Sequence, residues 1–465
     1  MMKNHNNIKF LFLIILSLFI SSVYSQIIKL PDYSIQTGAT LSAGKQTPFW
    51  LLSNQYGLIT PDKFNGWIKL GFKTSLSAEK NFDYDYGLEI IDRQSNKNKL
   101  YLHQVYLRLK LHFVDFQIGS VEEKFGDQDS SISSGGLLWS GNARPMPKIS
   151  LIVRDYSPIP LTRGYIEFKG GISHGWFGNN EFVNNAWLHH KYFYIRLGGK
   201  LPVKIHYGIH HFAQWGGFSA DTSVGQMPNG FDDFVRVFFA KPGDENAPTG
   251  EQKLPLGNHL ASRDLGLNID FKGVKISFYN QTLFEDRSSE YWGIINKTAL
   301  WGIIFHLKDK NRFINKFGYE FLNISSKTDP KNYFNHGYYR FGWTFYDMTI
   351  GTPMITSPII IQNTETEGGY IWNNEVTAHH LGMAGKYKNL QYKFFATYSL
   401  NYGTPSYPYD PALNQFSFLL EILLSDKLPL GIQAGFAVGY DHGDLLGNNT
   451  GLRISLTKQG SLDEK

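Results

Sequence analysis

Leu390-Gln391-Tyr392-Lys393-Phe394-Phe395-Ala396-Thr397-Tyr398-Ser399-Leu400 reads as a strand with one oily and one wet side. Successive side chains of a strand point to opposite faces. Leu390, Tyr392, Phe394, Ala396, Tyr398 and Leu400 therefore share one face, and Gln391, Lys393, Phe395, Thr397 and Ser399 the other. The same pattern begins at Ile68, where Ile68, Leu70, Phe72, Thr74 and Leu76 alternate with Trp67, Lys69, Gly71, Lys73 and Ser75. Val274, Ile276 and Phe278 oppose Lys275, Ser277 and Tyr279. Near the end Ile432, Ala434, Phe436, Val438 and Tyr440 oppose Gln433, Gly435, Ala437 and Gly439.

The connections between such segments are alternately short and long. The short ones carry turn residues: Glu79–Phe82, His112–Val114, Gly198–Pro202, Lys272-Gly273, Lys308–Asn311, Lys388-Asn389 and Ser425–Pro429. Between them fall Gln94–Lys99, Glu123–Lys148, Ser173–His190, Phe212–Ala261, Glu285–Asn296, Ser325–His336, Asn401–Asn414 and Asp441–Thr450. Tight turns at one end and long loops at the other are the rhythm of a closed outer-membrane barrel, with the tight turns periplasmic. A soluble antiparallel sandwich also alternates. Here, however, the strands recur far beyond one sandwich, and their oily faces often end in Tyr, Trp or Phe, as interface girdles do. The expected fold is all-β, a closed antiparallel transmembrane β-barrel.

The rhythm holds from residue 66 to about 346 and breaks between Asp347 and Val376. Parity demands one further strand near Ile350–Ile361, although Pro353 and Pro358 cannot donate to a ladder. Counting every candidate gives about 20 strands, an even number as bacterial barrels require. Residues 26–465 read as one barrel domain, of which 26–65 form a strand pair or partly a periplasmic plug. Residues 1–25 read as a signal peptide, with Lys3 and Lys9, an apolar core from Phe10 to Ile20, and Val23-Tyr24-Ser25 before the cut. That core is shorter than the ~20 residues of a spanning helix.

There is no cysteine, which excludes lipidation at a signal-peptide cysteine, disulfides and cysteine metal sites. The formal charge of +5 falls to +3 without Lys3 and Lys9, too balanced for a nucleic-acid partner. A mean hydropathy of −0.27 fits a barrel, because half of every strand faces a polar lumen.

Histidine pairs at His189-His190, His210-His211 and His379-His380 invite a metal reading. Adjacent strand residues face opposite ways, so neither member shares an ion with the other. His206 and His210 share a face but stand about 13 Å apart at strand rise. Glu122, Glu123, Asp127 and Asp129 offer oxygens for calcium, without the glycine and distal glutamate of a helix-loop-helix site. No metal and no cofactor is expected. Charges such as Lys69, Lys73, Arg163, Glu167, Lys169, Asp264 and Glu421 line a pore or pair across a filled interior. Pairing is the default expectation. No G-x-S-x-G elbow places a nucleophilic serine, so no enzyme is expected.

Three stretches resemble the capsule-assembly Wzi family of outer-membrane barrels. They are Gly135-Gly136-Leu137-Leu138-Trp139-Ser140-Gly141-Asn142-Ala143-Arg144-Pro145-Met146-Pro147-Lys148-Ile149, then Arg163-Gly164-Tyr165-Ile166-Glu167-Phe168-Lys169-Gly170 running on to Asn185-Ala186-Trp187-Leu188-His189-His190-Lys191, and Ile209-His210-His211-Phe212-Ala213-Gln214-Trp215-Gly216-Gly217. The resemblance implies about 18 strands, an occluded lumen, and a surface lectin that holds exported capsular polysaccharide on the cell. The chain departs from outer-membrane habit at its end, where Gly460–Lys465 follow the last strand in place of a terminal aromatic.

Stacking aromatics beside hydrogen-bonding side chains in the long loops are the residue types that grip sugars. The candidate polysaccharide contacts are Trp139, Asn142, Arg144, Trp176, Trp187, Trp215, Arg287 and Trp292. For each the plainer role is a place in the outer girdle or in loop packing. The expected partners are capsular or surface polysaccharide and outer-membrane lipid. A diffusion porin or substrate-specific channel is the alternative, since the same strands would serve it.

Overall fold

The computed structural model describes residues 29–179, 182–285, 298–324, 332–361, 371–424 and 428–462; the expected signal peptide lies outside them. Eighteen strands form one antiparallel sheet. The first six are β1 (Asp32–Ala43), β2 (Phe64–Lys73), β3 (Phe82–Gln94), β4 (Lys99–Leu111), β5 (Val114–Ser120) and β6 (Pro147–Pro158). Next come β7 (Ile166–Gly178), β8 (Ala186–Leu197), β9 (Val203–Trp215), β10 (Asn258–Asp270), β11 (Val274–Phe284) and β12 (Ala299–Leu307). The last six are β13 (Lys316–Ile324), β14 (Glu375–Tyr387), β15 (Leu390–Gly403), β16 (Pro408–Leu424), β17 (Ile432–Gly443) and β18 (Asn449–Ser461). Each pairs with its neighbour in sequence, and β1 closes the ring on β18 from Asp32↔Ser461 to Ala43↔Thr450.

The alternation sorts as read. Ile68, Leu70 and Phe72 on β2, and Leu452, Ile454 and Leu456 on β18, are exposed on the outer wall. Lys69 and Glu89 face each other across β2 and β3 inside the lumen, 3.3 Å apart. An eighth short turn, not singled out in the sequence, joins β6 to β7; Leu161 and Arg163 take left-handed φ angles of 69° and 56° there. Arg163 therefore sits on a turn and does not line the lumen. The pairing expected of the other charges is seen at Lys169 with Asp127, at Glu167 with Arg196, and at Glu421 with Lys393.

The strand expected near Ile350–Ile361 is absent, and so is the one that would end near 346, which brings about 20 down to 18. Residues 332–361 and 371–374, the described part of the connection from β13 to β14, add no strand to the barrel sheet. Within that connection Tyr339, Trp343, Phe345, Met348, Ile350, Met354 and Ile355 are all buried. A barrel strand must show one face to lipid, and this segment has no such face. It doubles back in a ribbon of Thr344-Phe345 on Met348-Thr349, turning through Tyr346 and Asp347 at φ 51° and 62°.

That connection meets two others inside the barrel. Residues 44–63, between β1 and β2, carry the short helix α1 (Phe49–Leu52), whose four side chains are buried. Residues 121–146, between β5 and β6, bring in Ile132, Leu137, Leu138 and Trp139. The three loops pack on inward wall residues such as Phe212, Leu300, Leu322 and Phe395 in one apolar cluster. Fully burying a side chain of this size contributes about 1.5–3 kcal/mol, so the filling is a true core. The filling thus enters from the long-loop end of the barrel, through 44–63 among others.

The connection from β9 to β10, residues 216–257, behaves differently. Its helix α2 (Phe231–Phe238) lies against the outer wall: Phe234 and Phe238 pack 5.6 and 5.2 Å from His189, and Lys191 donates to the Phe238 carbonyl. Farther along, Glu251 is buried and no side chain among the described residues bonds its carboxylate. Burial pushes this carboxyl up to about 7, with the Gly257 N–H pulling weakly the other way. A carboxyl whose folded value is raised binds more protons folded than unfolded. Its stabilisation is therefore complete below about 4.5 and is lost as pH rises through 7. Amide exchange in residues 243–257 is expected to slow several-fold from pH 8 to pH 5, after correction for intrinsic rates. Glu251→Gln should abolish that change, and an unchanged pH response in the variant would sink the assignment.

Candidate functional site

Residues 121–146 cross the lumen and are fixed to the wall at each step. Glu122 accepts from His103 of β4 at 2.9 Å, and Glu123 pairs with Lys148 of β6. Asp127 meets Lys169 at 2.7 Å and His206 at 3.3 Å; Asp129 meets Lys316 at 2.7 Å. The four acids thus go to four different places on the wall, and the calcium arrangement is not formed. Farther on, Ser133 Oγ and the Ser134 N–H donate to Glu320 at 2.6 and 2.7 Å, and the Leu137 N–H to Gln281 at 2.8 Å. Gly382 of β14 lets the loop come close: a Cβ there would lie 1.9 Å from the Ile132 carbonyl.

Among the described residues, one group of three that could ligate a metal stands out, Glu89, His103 and Glu122, within 4.8 Å of one another. Lys69 already supplies positive charge to Glu89. The histidine pairs divide between faces as expected. His190 points inward, its ring 3.9 Å from Phe212, while His189 points out to α2. His210 bonds Tyr194 inside at 2.7 Å, and His211 bonds His259 outside at 2.8 Å.

After Asn142 the loop rises to the long-loop mouth and delivers Arg144. Its guanidinium lies 3.8 Å from the Tyr101 ring and 4.8 Å from the Tyr346 ring. Lys99 stands 5.1 Å over the same Tyr346, and Arg93 donates to the Gly57 carbonyl at 3.3 Å. Among the described residues no acceptor bonds the Arg144 guanidinium. Stacked between two rings, its planar fork keeps its N–H edge for an oxygen ligand. Three cations and two tyrosines meet here, a set that suits an anionic, hydroxyl-rich molecule.

The other sequence candidates scatter. Trp139 and Asn142 are buried beneath Arg144; Asn142 donates to the Thr349 carbonyl and hydroxyl at 3.1 and 2.9 Å, and Lys148 sits 4.4 Å over Trp139. They hold the loop that carries Arg144. Trp176, Trp187 and Trp215 form one row on the outer wall across β7, β8 and β9, with Trp187 and Trp215 rings 4.7 Å apart. Arg287 and Trp292 lie outside the described residues. Arg93, Lys99, Tyr101 and Tyr346 were not singled out in the sequence. Parity alone would have set Lys99 and Tyr101 inward at the mouth, since Leu100 and Leu102 between and beyond them are exposed to lipid.

The model of a protein family described as capsule assembly protein Wzi matches residues 31–358, more than half of the chain. The chain belongs to the Wzi family. It is an outer-membrane β-barrel of capsule assembly. Among solved structures, the Escherichia coli outer-membrane protein Wzi, described as a carbohydrate-binding β-barrel involved in group 1 capsule assembly, aligns at TM-score 0.63 with 15% identity. That alignment covers 93% of this chain and 85% of the other. Pseudomonas aeruginosa OccK5 and OccK11 align at TM-score 0.48 with 8% and 9% identity, over 93% of this chain and 98% and 96% of theirs. No curated protein matches. In this Wzi-family chain the quoted stretches Gly135–Ile149, Arg163–Lys191 and Ile209–Gly217 all fall within the matched residues.

Proposed function

We propose that this barrel binds and anchors capsular or other surface polysaccharide at its extracellular mouth, with Arg144 as the main contact. The observation that carries the reading is the Arg144 guanidinium, held between Tyr101 and Tyr346 with no acceptor of its own. Lys99 and Arg93 add positive charge, so the favoured polymer is anionic. Family membership and the carbohydrate binding described for Escherichia coli Wzi support the same reading. Arg287 and Trp292, in the loop between β11 and β12, are proposed as further contacts. Trp176 and Trp187, half-buried on the outer wall, stand apart from the proposed contacts. The lumen filling argues against the channel alternative. A cleaved signal peptide over residues 1–25 is part of the proposal.

The test compares cell-bound with released polysaccharide in cells carrying native protein, Arg144→Gln, Arg144→Glu or no protein. A charge-assisted pair of hydrogen bonds is worth about 2 kcal/mol, roughly thirtyfold in affinity. Arg144→Gln should therefore shift polymer to the medium, and Arg144→Glu should approach the strain without protein. Full retention by Arg144→Glu, with the folded barrel at the surface, would remove the proposal.

A further inference from the structure

Among the described residues, the helix α2 packs one apolar stripe on the wall and leaves large apolar side chains of a second one exposed. Phe234, Val237 and Phe238 face the wall, against His189, Trp215 and Lys191. Phe231, Val235 and Phe239 recur four residues apart and so share a different flank of the helix. Phe231 is 78% exposed and Phe239 61% exposed, with Leu254 of the same connection at 61%. Two phenylalanines this exposed on one short helix are a surface that water does not favour.

The wall beneath says what covers this stripe. Outward positions His189, Lys191 and His211 are polar and lie under α2 or beside it. One outward row farther down, about 7 Å at strand rise, Phe193 and Ile209 pair in register and are 50% and 39% exposed. That row belongs to the lipid-facing wall. An outward lysine costs about 2–4 kcal/mol at the bilayer midplane and next to nothing at the interface. Lys191 and the row of Trp176, Trp187 and Trp215 therefore mark the outer boundary of the membrane. The helix α2 lies across that boundary, directly above lipid.

We infer that residues 231–239 form a foot seated in the outer leaflet, with Phe231, Val235 and Phe239 in its acyl boundary. The foot covers the polar part of the wall and fixes the height and rotation of the barrel beside the loops that face outward. The chain has no native cysteine, so single labels are clean. Phe239→Cys and the exposed control Thr222→Cys each carry an environment-sensitive fluorophore, in nanodiscs that hold one barrel and shallow nitroxide-labelled lipid. The label at 239 should shift to the blue and be quenched several-fold more than that at 222. Equal quenching of the two, in a barrel shown to be folded by heat-modifiability, overturns the inference. Shielding at 239 that appears only when several barrels share a membrane would assign the stripe to a second copy and likewise overturn it. With the label at Val235→Cys, adding Phe231→Ser and Phe239→Ser should abolish the quenching. Quenching that survives both serines overturns the role of the stripe.

Discussion

Replacing residues 124–144 with a short Gly-Ser linker is expected to convert a non-conducting barrel into an ion-conducting one. Barrels of 16–18 strands leave an aqueous channel when nothing fills them. Here the filling is built from three loops, and 121–146 is the one that spans from His103 on β4 to the Ile132 carbonyl that bonds His380 on β14. In planar bilayers the native protein should pass next to no steady current, and the linker variant should show discrete steps. Cells carrying it should admit large hydrophilic antibiotics normally held out. A variant that is folded and heat-modifiable yet silent would show that 44–63 and 325–374 suffice to close the lumen, contrary to the role given to 121–146.

Lys148→Met is expected to be the most destabilising single substitution where the plug meets the wall. Lys148 is 1% exposed and pairs with Glu123, itself buried, while its ammonium sits over the rings of Trp139 and Phe125. Removing one member of a buried pair leaves the other charge stranded, at about 3–5 kcal/mol. Gln117, which donates to Glu123 at 2.7 Å, compensates only in part. Replacing both charges, as Glu123→Leu with Lys148→Met, should recover most of the loss, because an apolar pair of similar volume needs no desolvation. Thermal unfolding of the purified protein gives the cycle. If the double variant is no better than Lys148→Met alone, the pair is not the source of the cost.

Much of the wall was legible in the sequence. Period-two alternation and turn length are local properties, and they hold wherever one face meets lipid, as from Leu390 to Leu400. The opposite facing of His189 and His190 followed from the same geometry. The filling was not legible, because alternation is blind to what occupies the lumen. Residues 338–361 were misread for this reason: Trp343, Ile350 and Ile355 are buried among other loops, so their apolar pattern carries no sidedness. Glu122, Glu123, Asp127 and Asp129 offer oxygens for calcium in the sequence, and only the fold reveals a basic partner for each. Of the proposed sugar contacts, Arg144 reaches the mouth with a free edge. Trp139 and Asn142 sit in the right loop but beneath its surface, and no local signal separates those two situations.

The seam between β1 and β18 carries a consequence for biogenesis. It joins residues 32–43 to 450–461, so the cylinder cannot shut until nearly all of the polypeptide has been delivered. Residues 44–63 and 121–146 are delivered long before that, and their partners on β4 and β6 with them, so the filling is expected to pack against the growing wall before the seam shuts. Contacts such as Ile132 with His380, 248 residues apart, are the late and slow ones. Defects in the filling should then show first as barrels stalled open at the seam, before any weakness in the completed protein becomes measurable.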